Sequence, residues 1–422
     1  MKRRNFLKSI SAVAALSILP QTVKAKDEKY TGPLYIFIHA RGGWDPTMFC
    51  DPKATNHAVD MSKLKTSASG NNIKYPDLGV NYKFSNFFDK YGQDLLVING
   101  IYTETNGHGT GSRYSATGKI SESNPALGAL FGAIKLPSSP LAFIGSGGYS
   151  ETKGVTTKVS MNSVDKLNQI VNPNFRSDSN GQEVTFYPKD IYEKMKNLRQ
   201  EKLSDLSEKS ALESTKASIL QFSDAHLNAV ELKKILEYLP DDISTHPKRA
   251  NTIFTGGRIA IAGYKAGLTA AISLSTGGNF DTHSNHDERQ QDRLEELFEG
   301  VDLLIQEARN EGVGNDIILL MTSEIGRSAN YNDRNGKDHW STTSYMALGK
   351  GISGNRVIGQ SSEGHRSMKV NPDTLKADEN GVYLTPGHVH KSLRRLLGIN
   401  NSPMAAFSFP LDSNKEDMPI FI

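Results

Sequence analysis

The chain alternates between short apolar runs and longer polar or amphipathic segments. Six runs rich in Ile, Leu, Val and aromatic residues have the length of strands and are largely uninterrupted by polar residues. Such runs are typical of parallel strands that are buried on both faces. The predicted strands are Leu34–His39, Asp94–Asn99, Leu141–Ile144, Ala270–Ser275, Asn315–Thr322 and Tyr345–Leu348.

Helical periodicity occupies several of the segments between these runs. Apolar residues recur every three or four positions from Leu294 to Ala308, which gives one apolar face about four turns long. A second helix is predicted at Gly387–Leu397. Strands that alternate with helices predict an α/β fold with three layers, in which a mostly parallel central sheet is flanked by helices.

The middle of the chain does not show this alternation of predicted strands and helices. Residues 150–250 are polar and rich in Lys, Glu and Ser, and Ile191–Leu239 has a charged helical pattern that ends at Pro240. We predict a helical insertion here, within a single domain that spans residues 26–422. The insertion is either a cap or assembly surface, or a solvated helical hairpin.

The first 25 residues have the pattern of an export signal. Arg3 and Arg4 precede the apolar stretch Ile10–Leu19, and small residues follow up to Ala25. We predict a twin-arginine signal peptide at residues 1–25 and export by the Tat machinery to the periplasm or the cell surface. The alternative is a membrane anchor, for which the apolar stretch is short.

Composition narrows the choice of partners. The whole chain has a formal charge of +3, but loss of residues 1–25 removes five basic residues and no acidic one, which leaves 44 basic against 46 acidic residues. Nothing in this balance indicates nucleic acid or an anionic membrane as a partner. The single Cys50 cannot form an internal disulfide, so the fold depends on its core. No later apolar run has the length of a transmembrane helix.

Acids and histidines follow several of the predicted strands. Because the carboxyl ends of parallel strands meet at one edge of a sheet, these side chains can converge there. Carboxylates and imidazoles are ligands for divalent metal ions. The candidate metal ligands are Asp45, Asp281, His283, Glu324, Asp338 and His339.

Each candidate has a structural alternative. Asp45 and Asp281 are also placed to cap turns, and the pair Asp338–His339 also fits an ordinary turn. Glu324 and Arg327 can form a buried ion pair, whereas Arg327 can instead hold an anionic substrate by its guanidinium fork.

A glycine-rich stretch, Asn106–Arg113, follows the second predicted strand. Its glycines expose backbone N–H groups, which suits anion binding at a helix start, although a flexible loop has the same composition. His108 is a candidate ligand or base, and Arg113 is a candidate clamp for negative charge. The hydroxyls of Thr105, Thr110 and Ser112 are candidate nucleophiles, and no rule of sequence selects one of them.

Together these motifs resemble, in their order, the domain of unknown function 1501 family of exported bacterial proteins. The family is placed by similarity in the alkaline phosphatase and sulfatase clan, so the resemblance implies an alkaline-phosphatase-like fold over essentially the whole mature chain. It rests on Gly42–Asp45, Asn106–His108, Gly277–His283, Ser323–Arg327 and Gly336–His339.

The resemblance also implies roles for the candidate ligands. Asp45 is similar to the first-strand metal carboxylate of the clan, and Asp281, His283 and His339 resemble the ligands of one metal position. Glu324 takes the place of the carboxylate in the clan's Thr-Ala-Asp-His turn.

Three departures from the clan's pattern affect the implied chemistry, and one of them is that Asp281 and His283 are closer in sequence than the corresponding pair of the phosphatases. Ile325 stands where the turn of the clan has a histidine, so the second metal position loses a ligand. Gly107 stands where many relatives have serine before His108, so the nucleophile is unassigned.

The resulting hypothesis is an exported hydrolase of phosphate or sulfate esters that depends on a divalent ion (Zn, Ca, Mn or Mg). The substrate would be an ester of a small molecule, a glycan or a lipid. Attack comes from a threonine hydroxyl such as that of Thr105 or from metal-activated water, and Arg113 or Arg327 steadies the transferring group. The alternative is a non-catalytic periplasmic or surface protein that keeps the fold for binding or assembly.

Overall fold

The computed structural model describes residues 30–53, 64–66, 72–161, 172–177, 183–213, 215–216, 218–219, 222–223, 232–240, 243, 251–412 and 414–422. The predicted export signal lies outside the described residues. Among those residues, no helix combines the length and the apolar character needed to cross a bilayer.

A mixed sheet of seven strands forms the centre of the fold. Six of its strands point in one direction, and the third strand in the spatial order is antiparallel to both of its neighbours. In spatial order the strands are β13 (Arg356–Ile358), β4 (Leu96–Tyr102), β12 (Thr342–Gly349), β9 (Ile317–Thr322), β1 (Leu34–His39), β8 (Ala271–Ser275) and β5 (Phe143–Gly145).

Short two-stranded sheets lie outside the central sheet. They pair β2 (Leu64–Thr66) with β3 (Lys74–Pro76), β6 (Phe175–Ser177) with β7 (Glu183–Thr185), β10 (Gly326–Arg327) with β11 (His339–Trp340), and β14 (Lys369–Val370) with β15 (Val382–Tyr383).

Helices cover both faces of the central sheet. The α-helices are α1 (Phe84–Tyr91), α2 (His108–Thr117), α3 (Leu127–Lys135), α4 (Lys189–Lys209), α5 (Asn251–Lys265), α6 (His286–Asn310) and α7 (Pro386–Leu396), and short turns of other helix types occur at Pro46–Met48, Lys234–Tyr238 and Met404–Ser408.

The two faces of β1 show why the sheet is buried on both sides. Leu34, Ile36 and Ile38 pack into a core with α1, α5 and α6, whereas Tyr35 and Phe37 pack into a second core with α3 and α7. Every residue of β1 is buried, and each apolar side chain of this size contributes roughly 1.5–3 kcal/mol when it leaves water. This confirms the predicted α/β class, in which a mostly parallel sheet lies between two layers of helices.

The strand directions bring several loops to one edge. β1, β4, β8 and β9 all end there, and His39 pairs with both Ser275 and Thr322 at the ends of its neighbours. Because β12 runs the other way, its first residue, Thr342, lies at the same edge opposite Tyr102. The segment before β12, which contains His339, therefore meets the loops that follow the parallel strands.

Within the described residues of the region 150–250, the named elements are β6, β7, α4 and a short helical turn. Helix α4 has no buried residue. The interpretation of this region as an insertion stays a prediction.

Candidate metal centre

His108, Asp281 and His339 bring their ligand atoms within 4.8 Å of one another. His108 is the first residue of α2, which follows β4, and Asp281 lies in the loop after β8. His339 lies in β11, just before the antiparallel strand β12. Two imidazoles and a carboxylate from three distant parts of the sequence thus meet at the carboxyl edge of the sheet.

His108 presents one ring nitrogen to Asp281. Its Nδ1 lies 2.8 Å from Glu324 Oε1, and this hydrogen bond raises the pKa of His108. Because a carboxylate can only accept, we assign the proton to Nδ1, so the neutral ring has its lone pair on Nε2. Nε2 is buried, finds no hydrogen-bond partner among the described residues, and lies 3.5 Å from Asp281 Oδ2.

His339 is oriented in a similar way. Its Nδ1 lies 2.9 Å from the backbone carbonyl of Asn106, which fixes the proton on Nδ1, and its Nε2 lies 3.2 Å from Asp281 Oδ1. Burial, followed by the nearby charge of His108, lowers the pKa of His339. The neutral ring, which a metal ion requires, is therefore favoured at this position.

Asp281 is the point at which the cluster converges. Its Oδ1 accepts a hydrogen bond of 2.7 Å from Arg327 Nη2 and lies 3.0 Å from His283 Nε2. Burial alone would raise the pKa of Asp281, but the hydrogen bond and charge of Arg327 outweigh it and lower that pKa. Asp281 is therefore an ionised carboxylate.

His283 and Asp338 lie at the outer side of the cluster. His283 Nε2 is 3.1 Å from His339 Nε2, and its Nδ1 is 3.2 Å from Asp338 Oδ1. About half of the His283 side chain is exposed, and Asp338 is exposed as well. The structure thus brings both residues next to the three central ligand atoms, on the solvent side.

Glu324 lies beneath the cluster and is fully buried. Its Oε1 accepts from the backbone N–H of Gly42 at 2.8 Å as well as from His108, and its Oε2 lies 3.2 Å from His39 Nε2. Burial works against the charge, but His39 and His108 hold the pKa of Glu324 well below its ordinary value. Both oxygens of this carboxylate are engaged by the protein.

Gly42 is the residue that lets the first loop approach Asp281. Its φ of +108° lies in the left-handed region, and a Cβ there would collide with the side chain of Asn279 and the backbone nitrogen of Asp281. A glycine is thus needed both for the turn and for the close contact of the two loops.

Arg327 is buried and points inward. It donates to the backbone carbonyls of Gly42, Gly43 and Lys337 in addition to Asp281. Its role in holding a substrate anion stays a prediction.

Asp45 lies outside the group of three ligands, in a buried network. Its Oδ2 is 2.7 Å from Lys337 Nζ and 2.9 Å from His286 Nε2. Its Oδ1 accepts from the backbone N–H of Thr47 at 3.0 Å and from its hydroxyl at 2.6 Å. The structure therefore separates Asp45 from Asp281, and its predicted role as a metal ligand stays untested.

The other predicted catalytic residues lie around α2. Thr105 Oγ1 accepts from the backbone N–H of Gly107 at 3.1 Å, in the turn that contains Asn106. Arg113 donates to the carbonyl of Ile120 and to Glu122. Their catalytic roles stay predictions.

Two further polar residues near the cluster, His39 and Lys337, were not among the candidates predicted from the sequence. His39 is buried at the end of β1, with Nε2 3.4 Å from Ser112 Oγ and with Nδ1 lacking a partner among the described residues. Lys337 is fully buried next to the predicted pair Asp338–His339. His39 could have been recognised as a polar residue at the end of an apolar strand, at the edge where the loops meet. Nothing in the local sequence indicated that Lys337 is buried.

The fold and the cluster define a three-layer α/β protein with a histidine–carboxylate site at the carboxyl edge of its sheet. Within that class, the chain belongs to the family described as Protein of unknown function (DUF1501), whose model matches residues 157–402, more than half of the chain. No curated protein matches the chain in sequence.

Several solved structures are similar to the chain at low identity. A sulfatase from Pseudoalteromonas sp. is 11% identical, with 92% of this chain and 71% of that chain covered and a TM-score of 0.35. A putative sulfatase from Bacteroides fragilis is 10% identical, with coverages of 93% and 78% and a TM-score of 0.35. A phosphonate monoester hydrolase from Silicibacter pomeroyi is 10% identical, with coverages of 92% and 78% and a TM-score of 0.34.

Proposed function

We propose that this protein is an exported hydrolase of phosphate or sulfate esters and that His108, Asp281 and His339 hold the divalent metal ion on which it depends. The observation that supports this proposal is the convergence of their ligand atoms within 4.8 Å of one another. Both imidazoles have Nδ1 engaged by an acceptor and direct Nε2 toward Asp281.

The residues fit a divalent metal ion by their chemistry. Two imidazole nitrogens and a carboxylate oxygen, with His283 beside them, suit Zn²⁺ or Mn²⁺ better than Ca²⁺, which prefers oxygen ligands alone. The buried Nε2 of His108, without a hydrogen-bond partner in the described part of the chain, is a nitrogen that such an ion would satisfy. A bound ion would supply Lewis acidity and would lower the pKa of a water ligand.

The surrounding residues prepare the ligands. Glu324 and the carbonyl of Asn106 hold the protons of His108 and His339 on Nδ1. Arg327 fixes the orientation of Asp281, and because its guanidinium is buried we propose that it acts through this carboxylate. Glu324 likewise orients His108, since both of its oxygens are engaged by the protein.

The solvent side of the cluster is suited to proton transfer. His283 is half exposed, and its Nδ1 lies beside Asp338, so the pair can hold a proton and release it to a leaving group. The hydroxyl of Thr105, in the turn that also contacts His339 through Asn106, remains a candidate nucleophile beside water.

The decisive experiment measures metal content and turnover together. Wild-type protein loaded with Zn²⁺ or Mn²⁺ is expected to bind the ion stoichiometrically and to hydrolyse an aryl phosphate or an aryl sulfate. Asp281→Ala and His339→Ala should lose both properties. The matched control is Asp316→Asn, which removes a carboxylate at the opposite edge of the sheet, where it pairs with Lys350. Equal turnover in His339→Ala, or no bound metal in the wild type, would contradict the proposal.

A non-catalytic binding or assembly protein is the second candidate. Helix α4 has no buried residue, and three of its large apolar side chains are exposed: Ile191, Leu198 and Leu206. Exposed apolar surface of this kind is typical of contact surfaces. Stoichiometric metal binding without turnover on the ester panel would favour this candidate.

Export is tested separately from chemistry. Replacement of Arg3 and Arg4 by lysine in the full-length chain is expected to retain the protein in the cytoplasm, because the twin-arginine route reads that pair. Unchanged export of the double variant in cell fractionation would exclude this route.

A further inference from the structure

The buried network around Asp45 connects the two loops that bear ligands. Lys337 lies two residues before His339, and its Nζ donates to Asp45 Oδ2 at 2.7 Å. His286 lies five residues after Asp281, and its Nε2 is 2.9 Å from the same oxygen. One carboxylate oxygen therefore contacts a residue from each loop.

Backbone and side-chain hydrogen bonds extend the connection. The N–H of Lys337 donates to the carbonyl of Thr282 at 3.1 Å. The hydroxyl of Thr282 lies 2.8 Å from His286 Nδ1 and accepts from Gln290 Nε2 at 3.0 Å. Gln290 Oε1 in turn accepts from the N–H of Asp45 at 3.0 Å.

The hydrogen bonds of this network give His286 a partner on each ring nitrogen. Since the oxygen of Thr282 accepts from Gln290, its hydroxyl proton is available to His286 Nδ1. His286 Nε2 then carries a proton and donates it to Asp45. The network thus contains the buried ion pair of Lys337 and Asp45.

Such a network is not explained by stability alone. Lys337, Asp45 and His286 are all essentially inaccessible to solvent. Removing both ions of a buried pair from water costs so much that well-packed apolar residues often give equal or greater stability. A buried pair can instead select one arrangement of the segments that it joins.

We propose that Asp45, Lys337 and His286 are positioning residues that fix the His339 loop against the Asp281 loop and thereby set the metal affinity of the site. The inference rests on the proposed metal function. It assigns to Asp45 a role behind the ligands, because both of its oxygens are already hydrogen-bonded by Lys337, His286 and Thr47.

The test removes both charges at once. Lys337→Met alone leaves the Asp45 carboxylate buried without its cationic partner and therefore destabilises the fold, whereas Asp45→Asn/Lys337→Met removes both members of this ion pair. The matched control is Asp51→Asn/Lys53→Met, since Lys53 Nζ lies 2.8 Å from Asp51 Oδ1 in another buried pair, which contacts Ser361. Each metal-free full chain is titrated with Zn²⁺ by calorimetry.

The Asp45→Asn/Lys337→Met variant is expected to raise the Kd for Zn²⁺ by about 10–100-fold, which is the typical result of removing residues that support metal ligands. The control pair should leave the Kd within about twofold of the wild-type value. A folded Asp45→Asn/Lys337→Met protein with the wild-type Kd would overturn the inference while leaving the proposed function intact. Loss of affinity in both double variants would also overturn it, because the effect would then be one of general stability.

Hydrogen exchange gives a readout that needs no metal. The Asp45→Asn/Lys337→Met variant should exchange faster at residues 336–340 than the wild type, and the control pair should not. Unchanged exchange there would overturn the inference. A wild-type chain that binds neither Zn²⁺ nor Mn²⁺ would instead overturn the proposed function, so the two failures are distinguishable.

Discussion

The open cluster around Asp281 and the buried network around Asp45 use the same residue types at the same edge of the sheet. Each region contains one or more histidines and an aspartate that comes shortly after a Gly-Gly pair. Asp281 is 29% exposed, however, whereas Asp45 is fully buried. Asp45 has Lys337 and His286 on one oxygen and Thr47 on the other. Asp281 instead faces the Nε2 atoms of His108, His283 and His339.

The difference shows which carboxylate at this edge can bind a metal ion and which can only position the loops that carry the ligands. When fixed donors already occupy both oxygens of a carboxylate, it can hold loops in place but has few lone pairs available for a metal ion. A carboxylate that faces the Nε2 atoms of several imidazoles, each held by its Nδ1, is arranged to share a metal ion with them. The comparison predicts that the two regions respond in opposite ways to substitution.

Lys337→Met should have the largest effect on stability. The substitution leaves Asp45 as an unpaired buried charge, which costs about 3–5 kcal/mol of unfolding free energy. Urea denaturation of the metal-free chain measures this loss. Asp45→Asn/Lys337→Met should recover most of it, and a double variant no more stable than Lys337→Met would show that the ion pair is not the cause.

His339→Ala should have the largest effect on metal binding and little effect on folding. Loss of a ligand nitrogen is expected to weaken Zn²⁺ binding by more than about 100-fold, beyond the range typical of outer contacts. Because the side chain is 26% exposed and Asp281, its partner, is 29% exposed and keeps its hydrogen bond from Arg327, the unfolding free energy of the metal-free chain should change by less than about 1 kcal/mol. A large loss of stability with unchanged affinity would reverse the contrast between the two regions.

The strand pattern allowed much of this edge to be predicted. β1 was predicted with its observed bounds, Leu34–His39, because a fully buried strand has an uninterrupted apolar sequence. The grouping of Asp281, His283 and His339 followed from strand ends and family resemblance. The sequence could not show that β12 is antiparallel, which is the reason that the segment before this strand, and not the segment after it, reaches the site.

The separation of Asp45 from Asp281 was not predictable from local sequence. Both acids follow two glycines, and only the fold shows that one of them meets a buried lysine. Lys337 lies in a polar loop, a context in which lysine is ordinarily exposed, and its burial depends on Asp45, which is 292 positions away in the sequence. His108 was predicted as either ligand or base, and only the contact with Glu324 indicates which nitrogen is free.

Glu324→Gln should have an intermediate effect and would test whether this residue supports His108. The amide has one acceptor oxygen in place of two and no negative charge, so the hydrogen bond that holds the proton of His108 on Nδ1 becomes weaker. A rise of about 10-fold in the Kd for Zn²⁺ is expected from the loss of such a contact, measured by calorimetry on folded protein. A loss as large as that of His339→Ala would instead identify Glu324 as a direct ligand.

The smallest expected effect is a dependence of the unfolding free energy on acid pH, which should come from the buried Asp45 carboxyl. Burial alone would raise the pKa of Asp45, but the charge of Lys337 and the hydrogen bond from His286 hold it well below its ordinary value. A carboxyl whose pKa is lower in the folded state binds fewer protons there than when unfolded, so its stabilising contribution is complete above about pH 4 and declines as the pH falls further. The stability advantage of the wild type over Asp45→Asn, measured by urea denaturation of metal-free protein, should therefore be constant from pH 7 to 5 and shrink below pH 4. An advantage that does not change down to pH 3 would mean that the Asp45 carboxylate is not what the network stabilises.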